Sequence, residues 1–137
     1  MKLEAAVCQQ FRIYRISGCV GWEDARLLDL ELAAALQKGS RPIAIQLEGI
    51  KHLSSSAIGV VVNHIRGYSE PNRIYLLTQD SYVRDLFDLT GLPMVIPDHI
   101  LLSIPDFMEA TGIQSNTPIE WTVQLDTWNQ RPTTLCI

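Results

Sequence analysis

The chain has 137 residues, 47% of them apolar and 19% charged, with a net charge of −4; this is the size and make-up of one folded domain around one hydrophobic core. The negative balance, with no Lys/Arg cluster, argues against a nucleic-acid partner, which needs a basic face to neutralise phosphates. No apolar run approaches the roughly 18 to 20 residues that span a bilayer, so direct membrane insertion is not expected.

The opening MKLEAAVCQQ carries Glu4 early and lacks the uninterrupted apolar core of a signal peptide, which points to a cytoplasmic protein. Cys8, Cys19 and Cys136 are odd in number, widely spaced and form no CxxC. Reduced thiols are expected, with neither a disulfide framework nor a zinc site, and no cofactor.

Leu3 to Val7 and Phe11 to Ser17 are the first two predicted strands, the second alternating Phe11 and Ile13 with Arg12 and Tyr14. Gly18 and Gly21 break this pattern, and from Trp22 to Lys38 the period becomes helical: Ala25, Leu28, Leu32, Ala35 and Leu36 share one face. Glu23 and Asp24 suit the positive end of that helix, Lys38 its negative end, and Gly39 its left-handed stop.

Pro42 leads into Ile43 to Leu47, a run compact enough for a buried central strand. A second helix starts within Ser54-Ser55-Ser56 and carries Ala57, Ile58, Val61, Val62 and Ile65 on its packed face. Arg73 to Thr78 is the next strand. Asp80 then caps a third helix, with Val83, Leu86 and Phe87, that Gly91 closes. Met94 to Ile96 is expected as a last short strand, and 103–111 as a helix ending at Gly112.

Beyond Gly112 the composition shifts, and residues 119–127 alternate Trp121, Val123 and Leu125 with Thr122, Gln124 and Asp126. Such a segment is either a strand laid on a sheet edge or a neighbouring chain, which would make a homodimer, or a disordered tail. The domain is therefore expected over 1–112, with 113–137 as a C-terminal extension.

Three consecutive serines ahead of an apolar helix admit several chemistries. An activated nucleophile needs a base in reach and a strained turn, but nothing reads GxSxG, and His52, His64 and His99 are scattered. A helix cap explains one serine, at about 1 kcal/mol. A phosphate suits this helix start as well: the unpaired first amides and the macrodipole favour negative charge there. A phosphoserine of about −1.5 to −2 charge would change the fold little, yet would penalise any partner docked over it. No P-loop or GxGxxG supports a nucleotide site.

Three motifs in order carry a resemblance. IAIQLEGIKHLSSSAIGVVV resembles the strand, loop and Asp-Ser-Ser/Thr-Gly-Leu/Ile-Gly helix start of the STAS domain, the family of sulphate transporters and anti-sigma factor antagonists. VRDLFDLTGL, Val83 to Leu92, resembles its third-helix signature, and Ser17-Gly18 before a capped helix matches its early strand. The resemblance covers about residues 1 to 112. It implies a single α/β layer structure, a mixed sheet of about five strands with the N-terminal pair antiparallel, packed against about four helices.

It further implies a non-enzymatic protein-binding module. In the anti-sigma factor antagonist branch a serine kinase that is itself the anti-sigma factor docks at the start of the second helix and phosphorylates the first Ser of Asp-Ser-Ser. Carried over, the phosphoacceptor is Ser55, with Ser54 as the alternative. The partner surface comprises Gly18, Gly21, Trp22, Ser54, Ser55, Ser56, Ala57 and Gly59. Trp22 is there either as an exposed anchor or as a residue packed on the sheet. Ser54 stands where the family has Asp, Ala57 where it has Gly, and Gly21 where that branch commonly has Asp. Loss of two carboxylates leaves open a second role, that of a constitutive subunit of a transport ATPase or a stress-signalling assembly.

Overall fold

The computed structural model describes residues 1–8, 10–37, 41–68 and 73–127. Strands β1 (Lys2–Val7) and β2 (Arg12–Val20) pair antiparallel, Leu3 opposite Ile16 and Ala5 opposite Tyr14. β2 then pairs in parallel with β3 (Ile43–Leu53), β3 with β4 (Ile74–Leu77), and β4 with the two-residue β5 (Ile100–Leu101). β6 (Thr122–Asp126) adds antiparallel to the free edge of β1, completing the order β5-β4-β3-β2-β1-β6.

The helices are α1 (Ala25–Leu36), reached through a 3-10 turn at Trp22–Asp24, α2 (Ser55–Gly67), α3 (Ser81–Leu89), the single turn α4 (Leu92–Val95) and α5 (Ile104–Thr111). This is the mixed α/β layer structure expected, with six strands for five and five helices for four among the described residues. Met94 and Val95 are helical rather than extended, because Gly91 (φ 75°) restarts the chain as a turn and Pro93 stands at a first-turn position. The strand expected there falls at Ile100–Leu101 instead. Lys38 and Gly39, read as the end of α1, lie outside the described residues. Among the described residues Arg12, a buried guanidinium on β2, donates to the Ala35 carbonyl at 3.1 Å.

Period-two alternation sorts the strands between two cores. Ile43, Ile45 and Leu47 point to one face, under Leu28 and Leu32 of α1, Val61 and Ile65 of α2, and Val83 and Phe87 of α3. Ala44 and Leu77 point to the other face, under Phe107 and Met108 of α5. Phe107 meets Phe11 and Tyr75 edge-on, with ring centroids 6.4 and 5.2 Å apart. The chain beyond Gly112 continues across this second face, placing Ile113, Ile119 and Trp121 on it before turning up as β6. Of the two expectations for 119–127, the strand is the one formed, and it lies on the chain's own β1. Cys8 is a free thiol, whereas Cys19 is disulfide-bonded, contrary to the expectation of reduced thiols throughout.

Candidate functional site

The starts of two helices meet at the carboxyl end of β2 and β3. Both strands run past their expected ends, β2 to Val20 and β3 to Leu53, because each carries a glycine in the left-handed region: Gly18 at φ 85° and Gly49 at φ 62°. The β2–β3 register shifts on either side of Gly18, which faces Ile50. Such a kink re-aims the strand ends without ending their pairing. Val20 and Leu53 are still paired, and the Ser54 amide donates to the Val20 carbonyl at 2.9 Å. The start of α2 is thereby tied to the residue just ahead of Gly21 and Trp22.

The serines divide their tasks. Ser54, in extended conformation (φ −69°, ψ 154°), is the N-cap; its Oγ accepts from the Ala57 amide at 3.2 Å, and its carbonyl accepts from Ile58 at 3.0 Å. Ser55 is the first helical residue and is exposed, as is Ser56; neither takes part in the cap. The first turn of α2 holds no acidic residue, so its positive end is uncompensated by side chains of its own.

Trp22 is 73% exposed beside the α2 start, which overturns the alternative of packing on the sheet. Its ring is an apolar surface held at the start of a 3-10 turn, the kind of group that anchors a protein interface. Gly18, Gly21 and Gly59 are half-buried. Ala57 is a correction to the expected surface: it is fully buried among the α2 core residues and reaches the site only through its backbone amide.

The histidines are occupied elsewhere. His64 Nε2 lies 2.6 Å from Asp29 Oδ1 and links α2 to α1, while His99 stacks on Tyr75 with its Nδ1 3.0 Å from the Ile74 carbonyl. His52 is exposed on β3. Among the described residues no histidine bonds a serine, and no cluster of His, Cys, Asp or Glu is placed to hold a metal ion. Nor is any described helix long and apolar enough to cross a membrane.

The sequence gives Asp24 only a generic role at a helix start, yet it is the most buried acid near the site, with no exposed surface. Its Oδ2 accepts from the Gly21 amide at 2.9 Å, and its Oδ1 accepts from the Thr127 hydroxyl at 2.7 Å. The Met1 amino nitrogen lies 3.8 Å from Oδ2 and donates to Thr127 Oγ1 at 3.0 Å and to the Cys19 carbonyl at 2.9 Å. The spacing Gly21-x-x-Asp24, one arm of a capping box, is the local signal that marks Asp24. Thr127 has no such signal.

The family model described as the STAS domain matches residues 2–107. A candidate anti-sigma factor antagonist, BtrV of Bordetella bronchiseptica, is 26% identical over 98 residues, covering 71% of this chain and 84% of that protein. The crystal structure of an anti-sigma factor antagonist from Mycobacterium paratuberculosis superposes with a TM-score of 0.69 at 17% identity, covering 82% of this chain and 93% of that one. The cell fate determinant SpoIIAA of Bacillus, in its phosphorylated form, superposes with a TM-score of 0.57 at 16% identity over 80% of this chain and 98% of its own.

Proposed function

The chain belongs to the STAS domain family, and from that premise we propose that it is a non-enzymatic regulatory module of the anti-sigma factor antagonist kind. It captures a partner, a serine kinase acting as anti-sigma factor, over the start of α2, and phosphorylation of Ser55 releases that partner. The observation that carries this reading is the division among the serines: Ser54 is committed to the cap, while Ser55 is exposed at the first position of a helix whose leading turn has no acidic side chain. The same division favours Ser55 over Ser54 as acceptor. A phosphate on Ser55 would gain from the helix end and, under a docked partner, would have to be desolvated. Exposed Trp22 supplies the apolar anchor beside it.

A photo-crosslinking amino acid at position 22, in the full chain expressed in its native cells, tests this. The expected catch is a protein with a kinase fold whose affinity falls about ten-fold or more with Ser55→Asp. A catch without a kinase fold, or one bound equally by Ser55→Asp, overturns the switch. The second reading, a constitutive subunit of a transport or stress-signalling assembly, is favoured by one observation: Ser54 and Gly21 occupy positions where the antagonist pattern has carboxylates. It predicts a partner retained at fixed stoichiometry whatever the state of Ser55.

A further inference from the structure

Residues after the family match end their described course at Thr127, which is 4% exposed although it lies beyond the largely exposed β6. Its amide donates to the Met1 carbonyl at 2.9 Å, and its hydroxyl donates to Asp24 Oδ1 at 2.7 Å, spanning 103 residues of sequence. A carboxylate removed from water depends on each donor that replaces the water. Here one oxygen is held by Thr127 and the other takes the Gly21 amide. Gly21 lies between Trp22 and Val20, and Val20 accepts the amide of the α2 cap. Hydrogen bonds, joined through the Val20–Gly21 peptide link, thus run from the C-terminal segment through a buried carboxylate to both halves of the candidate docking face.

The segment is fastened along its length as well. Trp121 lies under the Arg15 guanidinium, 4.0 Å from ring centroid to Cζ, and Arg15 grips Glu4 of β1 bidentately at 3.1 and 3.0 Å. β6 then pairs with β1, Lys2 opposite Asp126. Lys2 and Asp126 line, with Gly18 and Lys51, a cavity of about 310 Å³ where the end of the strand and the Gly18 kink face each other.

We propose that residues 113–127 are a strap that positions the docking face: the Thr127 hydroxyl orients Asp24, and Asp24 in turn holds the Gly18 to Trp22 loop in the shape a partner meets. Thr127 and Asp24 are positioning residues; neither is placed to touch the partner. The proposal rests on the docking face named above, and its two readouts separate the two ideas.

Full-length wild type, Thr127→Val and Thr127→Ser are compared by amide hydrogen exchange. Valine keeps the size and removes the donor; serine restores it. Thr127→Val is expected to speed exchange at Gly21 and Trp22 about ten-fold and leave β4 unchanged, with Thr127→Ser restoring protection. The same three proteins are titrated against the partner caught at position 22, and Thr127→Val is expected to bind about five-fold or more weakly, Thr127→Ser as wild type. Unchanged protection at Gly21 and Trp22, or a loss spread equally over β4, overturns the strap. Wild-type affinity in a Thr127→Val protein whose loop has loosened overturns its role in docking. A wild-type chain that catches no partner defeats the docking face alone, and the exchange data still decide whether Thr127 governs the loop.

Discussion

The segments that lead into α1 and α2 are joined by one hydrogen bond, Ser54 amide to Val20 carbonyl, yet the two helix starts are secured from different distances. The α2 start is held locally: Ser54 caps from three residues away. The α1 start adds a distant hold: its loop amide at Gly21 is held by Asp24, three residues on, and Asp24 is held in turn by Thr127, 103 residues away in sequence. The first arrangement leaves Ser55 and Ser56 exposed just past the cap. The second leaves Trp22 exposed on a loop whose shape depends on a distant segment. On the proposed docking face, a mark at the locally capped helix start would stand beside an anchor on a loop held from a distance.

Breaking the long-range half should cost most. Asp24→Ala removes the acceptor of the Gly21 amide and of the Thr127 hydroxyl together with the carboxylate beside the Met1 amino group, and is expected to lower stability by about 3 to 5 kcal/mol in urea unfolding. Thr127→Val removes one donor to a buried carboxylate and should cost about 1.5 to 3 kcal/mol by the same measurement. The local half is cheaper: Ser54→Ala should lose about 1 kcal/mol, and Ser54→Asp, which restores the family's residue and can still cap, should lose almost none. Equal costs for Ser54→Ala and Thr127→Val would erase the contrast between the two helix starts.

The strap's fastening at Glu4 gives a pH signature. The Arg15 hydrogen bond, helped by the charges of Arg15 and Lys2, holds the Glu4 carboxyl below its ordinary range despite partial burial. Because the folded state favours the ionised form, the stabilisation is complete above the unfolded-state value and is lost as pH falls through the lowered folded one. Glu4→Gln should therefore be less stable than wild type at neutral pH, by under about 1 kcal/mol, and converge with it under acid conditions. A difference that persists in acid would assign the effect to packing. Smallest of all, Ser55→Ala should leave stability within about 0.5 kcal/mol of wild type, since the exposed hydroxyl takes no part in the cap.

Legibility in the sequence follows the same division between local and distant. The packed face of α2 is written in spacings of three and four residues and forms where they place it, and the Asp80 cap of α3 and the helix expected over 103–111 form as well. β3, expected only over Ile43 to Leu47, continues to Leu53, because Gly49 at φ 62° is a kink inside a continuing strand. Met94 to Ile96 carries no periodicity to separate strand from helix, and the turn at Gly91 decides it. Alternation in 119–127 signals a strand but does not choose between another chain and β1. The link from Thr127 to Asp24 has no local pattern at all, because two residues brought together by topology leave no mark on their neighbours.

The central claim, that Ser55 is the regulatory mark of this face, is tested most directly by mapping phosphosites on the full chain isolated from its native cells under growth and under stress, with Ser55→Ala beside it. The expected result is a phosphoryl group on Ser55 whose occupancy changes between conditions, and its loss in Ser55→Ala without transfer to Ser54. An unmodified Ser55 in every condition, with a partner still bound, would contradict the switch and leave a constitutive subunit in its place.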